Sequence, residues 1–196
     1  MNSRDVILKA LRHNAPPPEP LPQFPATVTY ADSEKQFADA FTSVGGEFIK
    51  VPDFRVLNAA VGNLKACAQA RKIASLVPGI HCANRELSTV TAPHELEGLD
   101  VAIIGGDFGV AENGAVWVPG SNLGSHRAVF VITQHVVLVL PAGQIVDTMY
   151  QAYERIQFER PGFGLFISRP SKTADIEQAL VIGAHGARSC TLFLVG

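Results

Sequence analysis

Residues 101–140 read VAIIGGDFGVAENGAVWVPGSNLGSHRAVFVITQHVVLVL and hold four apolar runs punctuated by turn residues. The runs at 101–106, 114–119, 128–133 and 135–140 are short and rich in β-branched side chains, which predicts strands. A run as uniformly apolar as VVLVL predicts a strand buried on both faces. Four strands with only turns between them predict that part of the sheet is antiparallel or built from adjacent hairpins. A simple dinucleotide-binding βαβ repeat does not read this way.

On the N-terminal side, helical periodicity over 33–44 and 54–71 alternates with β-branched runs at 48–51 and 73–77. On the C-terminal side, a helix over 145–158, a strand at 163–168, a helix over 173–182 and a strand at 191–195 restore the βαβ rhythm. The fold class expected is therefore α/β, a mixed and largely parallel sheet flanked by helices. Residues 3–13 place Val6, Ile7, Ala10 and Leu11 on one side of a short amphipathic helix, with Ser3 as a candidate N-cap. Residues 14–25 contain six prolines, which remove backbone donors and favour extended geometry, so they read as a tether. The expected organisation is a helix and Pro-rich linker over 1–25 and one α/β domain over 26–196, the helix packing on that body or on a partner.

The chain has 196 residues, with 16 basic and 18 acidic side chains and a net charge of -2. That balance gives no electrostatic footprint for nucleic acid or an anionic membrane. Charged residues make up 17% and hydrophobic ones 47%, which excludes disorder except locally. So small a charged fraction also leaves little polar material for the surface, as expected of a protein that buries part of it against partners or a second copy. Cys67, Cys82 and Cys190 form no CxxC pair, so no disulfide framework, metal site or iron–sulfur site is expected from this chain alone. The N-terminus lacks an apolar signal core and no 18-residue apolar run occurs, so no transmembrane segment and a cytoplasmic location are expected.

Several familiar motifs fail. Lys172-Thr173 would complete a phosphate loop only with glycine at Phe166 and Ser171. Gly162 and Gly164 lack the third glycine of a dinucleotide fingerprint and precede a strand rather than follow one. His94-Glu95 has no second histidine at zinc-binding spacing.

Three segments remain as candidates. At 105–118, Gly105 and Gly106 end a strand and a turn delivers Glu112, Asn113 and Gly114. Glycines admit a ligand close to the main chain, and a glutamate held there can serve as base or nucleophile; a tight turn with an exposed acid accounts for the same residues. At 168–183, Pro170 stops a strand, Ser171 or Thr173 caps the expected helix, and Asp175 and Glu177 sit in its first turn. Ordinary capping explains these choices; free amides with Ser171, Lys172 and Thr173 receiving a carboxylate or phosphate is the functional reading. At 183–188, Gly183 ends that helix and His185 stands beside Gly186, either as a helix stop with a dipole-matching cation or as a proton carrier.

In this order, AENGAVWV, the box from Pro170 to Glu177 (PSKTADIE) and the glycine-histidine-glycine loop resemble the lactate utilisation protein C family, the LUD domain. The resemblance covers most of residues 30–196. It implies a fold like that of the CoA-transferase, ribose-phosphate isomerase and glucosamine-phosphate deaminase group. It also implies a part in oxidising L-lactate to pyruvate, as a cytoplasmic subunit or accessory factor acting on a small anionic substrate. Partner proteins would then carry the iron–sulfur clusters, and this chain no cofactor of its own. On that reading Glu112, Lys172 and His185 are the candidate catalytic residues. Gly105, Gly106, Asn113, Gly114, Ser171, Thr173, Asp175 and Gly186 are the candidate ligand-binding ones. The family commonly has glycine where this chain has Arg169, and proline where it has Ala187. The AENG element is also similar to the Ser-Glu-Asn-Gly element of type I CoA-transferases, which would make Glu112 a covalent nucleophile; a non-catalytic small-molecule-binding module is the third alternative.

Overall fold

The computed structural model describes residues 2–17, 19–20, 28–157, 162–174 and 180–196. Its centre is a five-stranded parallel sheet built from β1 (Glu47–Val51), β2 (Ile73–Ser75), β3 (Val101–Gly105), β6 (His135–Pro141) and β11 (Ser189–Val195). Their order across the sheet is β1-β11-β6-β3-β2. The central strands are covered on both faces, as the continuous apolar runs require. In β6, Val136, Leu138 and Leu140 enter one core while Val137 and Val139 enter the other. In β11, Cys190, Leu192 and Leu194 alternate in the same way with Phe193.

A second sheet of four strands, ordered β7-β4-β5-β8, lies against one of those faces. It consists of β4 (Phe108–Val110), β5 (Ala115–Pro119), β7 (Ile145–Val146) and β8 (Gly164–Ile167). The antiparallel pairing expected after Val101 is therefore present, in a sheet of its own. Strand β5 serves two cores by alternation: Val116 and Val118 face the parallel sheet, while Ala115 and Trp117 join Phe108 and Val110 beneath a helix, α7 (Met149–Arg155). On the opposite face of the parallel sheet, α3 (Phe54–Asn63) and α4 (Lys65–Gln69) cover Val137, Val139 and Phe193.

The helix over residues 33–44 is seen as α2 (Ser33–Ser43), capped by Asp32, whose carboxylate accepts from the Lys35 amide at 2.8 Å. Its Phe37 and Phe41 are fully buried and stacked, with ring centroids 6.0 Å apart. They rest on bare main chain: a Cβ on Gly46 would fall 2.2 Å from the Phe41 ring, and one on Gly109 2.8 Å from Phe37. The N-terminal helix is α1 (Ser3–His13), with Asn2 rather than Ser3 as its cap and no buried side chain. The boundary expected at residues 25–26 lies outside the described residues.

Four local expectations are corrected. The single helix over 54–71 breaks at Leu64, where ψ is 133°, directly after the weak helix formers Gly62 and Asn63. The run AVFVIT forms no strand but a short helix, α6 (Val129–Ile132). Burial of Val129 and the Thr133 hydroxyl, which donates to the Asp100 and His135 carbonyls, overrides its β propensity. The helix over 145–158 begins instead as strand β7, because Ile145 and Val146 pair with β4, and turns helical only after the Thr148 cap. The helix over 173–182 is replaced by a two-stranded ribbon, β9 (Lys172–Ala174) against β10 (Leu180–Ile182), where β-branched Thr173, Val181 and Ile182 favour extended backbone.

Candidate functional site

The base of the β9–β10 ribbon is built by main-chain bonds between two distant segments. The Ser171 amide donates to the Ala187 carbonyl at 2.8 Å, and the Gly183 amide donates to the Ser171 carbonyl at 2.9 Å. Gly186 permits the contact, since a Cβ there would stand 3.1 Å from Ser171 Cβ. The ribbon, not a helix, therefore joins the Ser171 box to the glycine-histidine-glycine loop. Ser171 and Thr173 cap no helix, Gly183 ends none, and the Ser171 amide is occupied rather than free. Gly183 instead takes a turn conformation with φ +75° against Arg188. Asp175 and Glu177 lie outside the described residues.

This junction lines an open cleft of about 420 Å³. Ser171, Lys172, His185 and Gly186 share it with Ser168 and Arg169, all of them on or beside the strand ends. Val136 and Ala187 also line it, so it sits at the amino ends of β6 and β11. Among the described residues no Asp or Glu lines it, and two cations, a histidine and two serine hydroxyls face one space. Lys172 Nζ also approaches the turn after α2, 3.5 Å from where a Cβ on Gly45 would be. Thr173 is the next residue on β9 and is not itself among the lining residues.

The 105–118 segment reaches the same edge by another route. Strand β4 leaves the carboxyl end of β3 and doubles back, so the turn at residues 111–114 meets Ser168, whose hydroxyl donates to the Asn113 carbonyl at 2.8 Å. The Asn113 side chain closes the turn by accepting from the Ala115 amide at 3.0 Å. Gly114 has φ +66° and abuts α2, where a Cβ would lie 2.5 Å from the Phe41 nitrogen. The Glu112 carboxylate accepts from the Met149 amide at 2.8 Å, at the positive end of α7, and is not part of the cleft lining. Gly105 and Gly106 stay at the opposite, carboxyl end of β3. There the Gly105 carbonyl accepts from Asn122 at 2.9 Å, and a Cβ on Gly106 would lie 2.3 Å from Val116.

Sequence reasoning missed Ser168 and treated Arg169 only as a departure from a family pattern; both line the cleft. It also missed a polar pair on the other face of the sheet, where His135 Nδ1 and Ser189 Oγ lie 2.8 Å apart across β6 and β11. Burial pulls the His135 pKa below its ordinary value, Arg188 adds to that, and Asp100 opposes it. The only signal was that each strand opens on a polar residue before a long apolar run. The three thiols do not converge on a common ligand set: Cys190 belongs to the core on one side of the parallel sheet, and Cys67 with Cys82 to the core on the other. Burial pushes both Cys67 and Cys190 up to about 12.

The chain is similar to a Shouchella clausii protein named lactate utilization protein C, 37% identical over 44% of this chain and 40% of that one. It thus spans less than half the length of that relative. A Deinococcus radiodurans protein of the same name is 28% identical over 91% of this chain and 88% of its own length. The crystal structure of a DUF162 family protein from Deinococcus radiodurans shares the fold, with a TM-score of 0.63 at 18% identity, covering 87% of this chain and all of that one. The LUD domain matches residues 72–195, which run from the eve of β2 through β11 and contain the whole cleft. The chain belongs to the LUD domain family.

Proposed function

We propose that this protein serves lactate (2-hydroxy acid) utilisation, as a cytoplasmic subunit or accessory factor in the oxidation of L-lactate to pyruvate, and that it holds the hydroxy acid in the cleft at the amino ends of β6 and β11. The observation that carries the reading is the meeting of Arg169, Ser171, Lys172 and His185 in one cleft, with no carboxylate lining it among the described residues. Lys172 and Arg169 supply the countercharge for a carboxylate, and Ser171 supplies a hydroxyl donor beside them. His185, exposed between glycines, is the group able to accept the proton of a substrate hydroxyl. The names of the similar proteins point to the same substrate. The thiols of this chain do not fit a cluster, so the reading puts iron–sulfur clusters and the electron acceptor on partner proteins.

Two measurements test it. Titration calorimetry of the full chain with L-lactate should show binding, and Lys172→Ala should weaken it by ten- to a hundredfold, the range of about 1.5–3 kcal/mol for a charge-assisted hydrogen bond. Deletion of the gene should abolish growth on lactate, and the Lys172→Ala gene should fail to restore it. A deletion strain that oxidises lactate at the normal rate ends the proposal.

A further inference from the structure

The cleft is larger and more apolar than lactate requires. A three-carbon hydroxy acid displaces roughly the volume of three or four waters, on the order of 100 Å³. The space here is about 420 Å³, within the range of about 300–1,000 Å³ usual for small-molecule sites. Its polar groups come from the ribbon base, the glycine-histidine-glycine loop and the residues just after β8. Phe130 and Val131 from α6 and Leu165 and Ile167 from β8 give it an apolar wall. Val131 is 48% exposed although it is a large apolar residue in a cleft. A lactate carboxylate seated on Lys172 and Arg169 extends only a methyl group toward that wall and leaves most of it wet. An acid with a longer apolar side chain covers it and gains the hydrophobic contribution that lactate forgoes.

We infer that the cleft selects 2-hydroxy acids with branched or aromatic side chains, the carboxylate on Lys172 and Arg169 and the side chain on Val131, Phe130 and Ile167. This inference rests on the proposed hydroxy-acid site and names the substrate class that site prefers. Each added methylene in an apolar pocket contributes about tenfold or more. L-2-hydroxy-4-methylpentanoate should therefore bind the full-length protein at least tenfold more tightly than L-lactate.

Calorimetric titrations with L-lactate, L-2-hydroxy-4-methylpentanoate and L-3-phenyllactate give the test. Both larger acids should bind more tightly than lactate. Val131→Ser, a change at an exposed position that leaves the core intact, should narrow the ratio, and Lys172→Ala should weaken all three acids. Equal or tighter binding of lactate overturns the inference while leaving the hydroxy-acid site standing. Binding of none of the three, or binding that Lys172→Ala leaves unchanged, removes the site itself and the inference with it. A tenfold preference that Val131→Ser leaves untouched shows that the side chain goes elsewhere and likewise overturns the inference.

Discussion

Gly114 has two independent reasons to be glycine. Its φ of +66° is strained for any other common residue, and its missing Cβ makes room for the Phe41 main chain 2.5 Å away. Gly114→Ala should cost about 2–4 kcal/mol, adding left-handed backbone strain to an overpacked contact, and urea denaturation would read it as a lower midpoint at unchanged slope. His135 gives the fold a pH dependence of definite sign. Its folded pKa is lowered, chiefly by burial, so the unfolded chain binds the proton more readily. The stabilisation is complete above the unfolded value near 6.5 and is lost as pH falls from there through the folded pKa. Denaturation midpoints at pH 7.5 and 5.5 should therefore differ, and His135→Asn should reduce the difference. Glu112 lends itself to a test of role: Glu112→Ala should destabilise by about 1 kcal/mol through loss of its bond to the Met149 amide, without changing hydroxy-acid binding. A thioester adduct at Glu112 after incubation with acyl-CoA would instead support the transferase alternative.

How far the sequence could be read depended on what set each segment's conformation. Strands β3, β5, β6 and β11 were legible because alternation and continuous apolar runs are properties of the strands themselves. Helices α1 and α2 were equally so, since 3.6-residue periodicity is a local signal, although the α1 cap is Asn2 and not Ser3. The misread segments are those in which distant partners decide. AVFVIT carries every mark of a strand, yet Thr133 is bound by Asp100, 33 residues away, and the segment coils. SKTADIE opens like a helix, yet Lys172–Ala174 pairs with Leu180–Ile182, and the Ser171 amide goes to Ala187 rather than to a cap. The candidate site shows the same division. The Ser171, Lys172, His185 and Gly186 grouping was named from motifs, on the expectation of free amides at a helix start; the structure instead brings these residues together along a strand ribbon, in a cleft with cations among its lining residues. Arg169, read as an intrusion, is one of those cations.

The parallel sheet does not coincide with the matched family region, since β1 lies before residue 72 and still pairs with β11 along five residues. Helix α1 stands apart from this body in a different sense. It buries none of its side chains, and Val6, Ile7 and Leu11 are more than half exposed. A chain lacking residues 2–17 should accordingly unfold at the same denaturant concentration within about 0.5 kcal/mol, the usual range for surface changes. A larger loss would show that α1 docks on the body. Among the described residues no helix is long and apolar enough to cross a membrane. The position of β11 has a consequence for biosynthesis. This strand sits between β1 and β6, yet it is made after every other strand of the sheet. Until β11 has been made, the nascent chain holds β1 apart from β6, with two strand edges open and no strand to join them. The sheet therefore cannot close before β11 has been made, and until then the emerging polypeptide is most exposed to aggregation and most dependent on chaperones.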